Sequence, residues 1–112
     1  MPSDISPVLG LFPLEMVVLP GEIVPLHIFE PRYRTLISER VRDSEPFGIL
    51  NGTDDDYAEI GCAMHIEGII QKFPQGRLKI ITRGYRRFRV GDNIDNPQPY
   101  LCRHTVWFNE EE

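Results

Sequence analysis

The stretch LPGEIVPLHIFEPRYRTLISERVRD, residues 19–43, changes its period in the middle. Leu19-Pro20-Gly21-Glu22 is a turn signal, because Pro20 presets φ and Gly21 accepts a left-handed backbone. Ile23 to Phe29 then reads as a strand rich in branched residues. Pro25 inside it lacks a ladder donor, which places the strand at a sheet edge or at a bulge. Glu30 supplies a first-turn or cap acid, and Pro31 sits at the first helical position, where proline is tolerated. Tyr33, Leu36, Ile37 and Val41 recur at helical spacing, with Arg32, Arg34, Glu39 and Arg42 on the other face. Phe29 is placed to pack on Tyr33 as a staple. The spacing predicts a helix over about residues 31–43 that stops before Pro46.

On either side of this stretch the signals are β. In residues 60–73, Cys62, Met64, Ile66 and Ile70 alternate with Ala63, His65, Glu67 and Gln71, the pattern of a half-buried strand. Pro74 and Gly76 turn the chain. Leu78 and Ile80 resume the pattern with Ile81 beside them, so the pair forms a long hairpin. Gly84 is expected to bend its second arm, and Phe88 and Val90 continue it, interleaved with Arg87 and Arg89. Phe47 to Leu50 is a short buried strand closed by Asn51-Gly52, and Tyr100 to Phe108 is the last strand. Two short extended pieces are expected near 9–12 and 16–19, loops at 53–57 and 91–99, a loose lead-in over 1–8 and a solvated end over 109–112. Closing a curled sheet protects so many short strands economically. The expected fold is therefore mainly β, a closed or pseudo β-barrel of about six strands with one helix plugging or capping an end.

A chain of 112 residues suits one domain with an ordinary core. Its formal net charge of −5 argues against a general polyanion binder. The sum conceals a division: Lys72, Arg77, Lys79, Arg83, Arg86, Arg87 and Arg89 fall in residues 72–89 without an acid among them. Such a hairpin offers a stripe for phosphates, with Phe73 and Tyr85 as stacking faces. The plainer reading is a solvated strand face whose long stems cover apolar surface. Two cysteines, Cys62 and Cys102, are too few for a disulfide scaffold. The first residues lack the basic start and apolar run of a signal peptide, and no apolar run approaches the roughly 18 residues of a membrane span. The expected compartment is the cytoplasm.

Catalytic patterns find little to rest on. Cys62, His65, Cys102 and His104 supply four zinc-type ligands, but residues 62 and 65 point to opposite faces of a regular strand. None of Ser3, Ser6, Ser38 and Ser44 lies in a G-x-S-x-G turn, and His27 has no acid–serine constellation around it. Asp54, Asp55 and Asp56 lack the spacing of a calcium loop, and neither glycine-rich nucleotide motif occurs. No catalytic residue, metal or cofactor is expected.

Three segments together resemble the LON domain, the substrate-binding amino-terminal domain of the ATP-dependent Lon protease. They are LFPLEMVVLPGEIVPLHIFEPRYRTLI at 11–37, IGCAMHIEGIIQKFPQGRLKIITRGYRRFRVG at 60–91 and PYLCRHTVWFNEEE at 99–112. The HIFEPRYR segment is closer to the form in small free-standing LON-domain proteins. The resemblance implies a PUA-like β-barrel over residues 9–112, with the helical second half of the family absent, and no ATPase or Ser–Lys peptidase domain. It implies a noncatalytic module that recognises unfolded polypeptides or other proteins. Extended chain is held by a strand edge or an apolar groove, and Met16, Val18, Phe73 and Tyr85 are the candidate contacts; the plainer reading of Met16, Val18 and Tyr85 is core. The alternative, RNA binding as in other PUA-like barrels, would use Arg77, Lys79, Arg83, Arg86, Arg87 and Arg89.

Overall fold

The computed structural model describes residues 7–108, in six strands and one α-helix. The strands are β1 (Val8–Leu14), β2 (Ile23–Ile28), β3 (Phe47–Asn51), β4 (Ile60–Lys72), β5 (Leu78–Asn93) and β6 (Leu101–Trp107). The helix α1 covers Pro31–Asp43. The strand order is β2-β5-β4-β3-β1-β6, and β6 pairs again with β5. Five strands thus close a ring, and β2 hangs from the first half of β5. Closure is possible because β5 is long: residues 78–83 pair with β2, while residues 88–93 pair with β6. β1 and β3 are parallel, and the other pairs are antiparallel.

The helix begins and ends where the sequence predicts. Pro31 occupies its first turn, and Ser44 caps it in the left-handed region at φ 60°, its N–H donating to Arg40 O at 2.8 Å. Glu30 makes no side-chain cap; its carboxylate accepts from Arg32 at 3.2 Å instead. The buried face is Tyr33, Leu36 and Ile37, set among Phe12, Phe47 and Ile49. Gly10 permits that approach, since a Cβ there would lie 2.5 Å from Leu36 Cδ1. Val41 is exposed, contrary to its helical spacing, because the last turn overhangs the sheet and borders a 540 Å³ hollow shared with Ile66 and Ile69. Phe29 is not a staple: Tyr33 stacks on Phe12 at 3.9 Å, and Phe29 stays 58% exposed.

Two apolar clusters fill the molecule. The larger joins the helix to Val24, Leu26 and Ile28 of β2 and to Met64 and Ile80. The smaller, Leu9, Leu11, Leu50, Ala63 and Phe88, lies on the opposite face of β1, β3 and β4. This explains why Ala63 is buried although the alternation set it outward: here the strand is covered on both sides. Farther along β4, register shifts at Ala63/Met64, Ile66/Gly68 and Ile69/Gln71 break the period of two, and Ile70 faces out.

Two further expectations change. Residues 16–19 form no strand but an irregular strap from Glu15 to Glu22, which starts with Met16 N–H donating back to Leu14 O at 2.8 Å. β5 also runs past Gly91 to Asn93, held by pairing with Arg103 of β6. The acidic end over 109–112 lies outside the described residues, as does most of the lead-in over 1–8. No helix among the described residues is long and apolar enough to cross a membrane.

Candidate polypeptide-binding groove

β2 pairs with β5 alone among the described strands, so one of its edges is open. Gly84 N–H donates to Glu22 O at 2.9 Å, which sets the phase of that ladder. Val24, Leu26 and Ile28 then turn their backbone groups to β5, and Ile23, Pro25 and His27 turn theirs to the open edge. The side chains obey the other alternation: Val24, Leu26 and Ile28 are buried, Ile23, Pro25 and His27 exposed. Pro25 removes one edge donor and so blunts, without closing, a site for strand addition.

Along that edge runs a groove of 310 Å³. Phe12, Leu14, Met16, Leu26 and Tyr33 give it apolar walls, and Phe29 stands at one end. The strap supplies Met16 and is pinned where Gly21 N–H donates to Gly84 O at 2.7 Å. Glu15 and Glu30 are the acids of the lining. The groove continues into a second hollow of 440 Å³, where Glu15 and Glu30 are joined by Asp54, Asp55 and Arg32. Arg32 donates to both Glu30 and Asp54 and lies 4.5 Å above the Tyr33 ring. Burial pushes the Tyr33 hydroxyl up to about 12, with Arg32 opposing the shift, so it stays protonated and donates to Asp54 at 3.4 Å. Nothing in this lining is arranged as a nucleophile with a base; its chemistry is apolar contact, backbone pairing and negative charge.

Of the sequence-predicted contacts, Met16 lines the groove. Val18, 6% exposed, belongs to the core. Phe73 is half-buried at the hairpin turn and packs its ring on His27 at 5.2 Å, outside the groove lining. Tyr85 faces away from the strap and stacks on His65 at 4.2 Å with Trp107 beside it. The four therefore do not form one patch. Sequence reasoning missed Leu14, Phe29 and Tyr33, the last because its helical spacing marked it as core alone. A signal for Phe29 existed: it is the apolar residue left over between the strand alternation and the helix period.

The basic hairpin is largely matched within the molecule. Arg83 pairs with Glu67 at 2.7 Å and Arg89 with Glu59 at 3.5 Å. Arg77 lies over Phe73, Arg86 over Trp107 and Arg87 over Phe108. Lys79 is exposed on β5. Among the described residues no cluster of three or more His, Cys, Asp or Glu is placed to hold a metal ion. Cys62 and Cys102 are free thiols, and burial pushes both upward, away from reactive thiolate.

A five-stranded closed ring with an appended edge strand and one covering helix defines a β pseudo-barrel that presents a groove. The family model of the ATP-dependent protease La (LON) substrate-binding domain matches residues 8–112, and the chain belongs to that family. It is 31% identical to a Lon N-terminal domain protein of known structure from Xanthomonas campestris, with a TM-score of 0.79 over 95% of this chain and 62% of that one. The N-terminal domain of the Mycobacterium avium complex Lon protease is 22% identical, with a TM-score of 0.76 over 95% of this chain and 57% of that one, and shows the fold. Lon protease 2 of Myxococcus xanthus is 27% identical over 107 residues, which are 88% of this chain and 13% of that protein. The chain thus spans only part of each of these relatives.

Proposed function

We propose that this chain is a noncatalytic polypeptide-recognition module. The unit that carries this role is residues 9–112, with its first strand starting at Val8. An extended, apolar segment of an unfolded or misfolded protein adds along the open edge of β2 and lays its side chains in the adjoining groove. The observation that carries this reading is that, among the described strands, β2 pairs on one side only, with the 310 Å³ apolar groove against the other. Membership of a family described as substrate-binding supports it. So does the chemistry of the lining, which has contacts to offer and no group poised to cleave a bond.

The magnitudes describe a weak, sampling interaction. One buried apolar side chain contributes about 1.5–3 kcal/mol and each new backbone hydrogen bond about 1 kcal/mol. Two anchors and two or three bonds, less about 2–5 kcal/mol for ordering the segment, leave about 3–4 kcal/mol at mid-range, a Kd of roughly a few millimolar for one site. The test is binding of a reduced, alkylated protein that cannot refold, set against its native form and an RNA oligonucleotide across a salt series. The unfolded protein alone should bind, and Met16→Asp, which puts a charge in the wall, should weaken it at least tenfold. Tight RNA binding that falls steeply with salt, with no unfolded-protein binding, would replace this reading with the basic hairpin.

A further inference from the structure

The groove is not symmetric in charge. Its apolar length runs along β2, and it opens at the helix start into the hollow that shares Phe12, Leu14, Glu15, Glu30 and Tyr33 with it. There four carboxylates, Glu15, Glu30, Asp54 and Asp55, face a single guanidinium. Arg32 is committed: it donates to Glu30 and Asp54 and lies over Tyr33. Among the described residues Glu15 and Asp55 have no cation as partner. An extended occupant whose apolar residues fill the groove carries the residues flanking them on one side into this acidic end, since successive residues advance by about 3.3 Å.

We propose that the groove selects apolar segments flanked within a few residues by lysine or arginine, and discriminates against those flanked by glutamate or aspartate. This rests on the groove receiving polypeptide at all. Attraction to a cation and repulsion of an anion act in the same direction, and the exposed carboxylates make the preference salt-dependent. Arginine suits the site better than lysine, because its fork spans two carboxylate oxygens.

The experiment uses three fluorescent peptides with one apolar core, flanked on both sides by Arg-Arg, Gln-Gln or Glu-Glu, titrated by anisotropy at low and at about 0.5 M salt. The expected order is Arg over Gln over Glu, about tenfold from first to last at low salt and nearly flat at high salt. Glu15→Gln with Asp55→Asn should flatten the order at low salt, read as the ratio of Arg-Arg to Glu-Glu affinity within each protein. Equal binding of the three peptides, or a preference that survives the double variant, overturns the selectivity and leaves the groove standing. Failure of all three to bind overturns the groove itself and the selectivity with it. Self-association of the chain that is lost in Met16→Asp would make the occupant a second copy and overturn the proposal in another way.

Discussion

Tyr33 shows how one side chain serves both the core and the site. Its ring stacks on Phe12 beneath the helix, and its hydroxyl reaches Asp54 at the mouth of the acidic hollow. Sequence reasoning had the ring, through its spacing with Leu36 and Ile37. The hydroxyl was out of reach, because its partner lies in a loop that no period connects to the helix. The same limit applied to Val18, where an apolar residue in an irregular strap reads equally as wall or core. Burial holds Tyr33 at about 12 and, with help from Glu39, Tyr100 also at about 12, against an ordinary 10. In both, the folded state keeps the proton longer than the unfolded chain. Stability is therefore unaffected by these groups below pH 10 and falls as pH rises from about 10 to 12. Denaturant midpoints measured across that range should decline, with phenolate absorbance rising together with unfolding. Tyr33→Phe should make the decline shallower; an unchanged slope would show that this hydroxyl does not contribute.

Among the elements, α1 and the hairpin were legible and the strap was not. Pro31 and Pro46 bracket the helix in the sequence, and the Pro74–Gly76 turn separates two arms with clear alternation. The bulges of β4 were hidden, since they depend on which residue of β5 each position meets. The strap was misread as a strand because Met16, Val17, Val18 and Leu19 are all strand-forming residues. What holds it is Gly84, whose missing side chain leaves room for Leu19 O; a Cβ there would lie 2.8 Å from that oxygen. Gly84→Ala should lift the strap at a cost of about 1–3 kcal/mol. Hydrogen exchange at Gly21, whose amide is bonded to Gly84 O, should quicken before the helix amides do. Uniform protection in the variant would mean that the strap is held by its apolar contacts instead.

At the scale of the whole molecule, the count of strands was readable and the closure was not. No local pattern reveals that β6 returns to pair with both β1 and the far half of β5, some 90 residues from the one and next to the other. That closure spends the edges of five strands and leaves the sixth, β2, with one side open. The proposed site is thus a consequence of topology: among the described strands, a ring that closes without β2 leaves it an edge, and the helix and strap flank that edge with apolar side chains. Site residues scattered through the sequence as Leu14, Met16, Leu26, Phe29 and Tyr33 come together only there.

The most direct test is amide hydrogen exchange of the chain with and without an apolar, arginine-flanked peptide. Ile23 and His27 point their amides to the open edge, while Val24 and Leu26 are bonded to β5. Added peptide should slow exchange at Ile23 and His27 and leave Val24 and Leu26 as protected as before. Protection that appears instead along residues 77–89, or Ile23 and His27 amides that remain fast at saturating peptide, would contradict strand addition at β2.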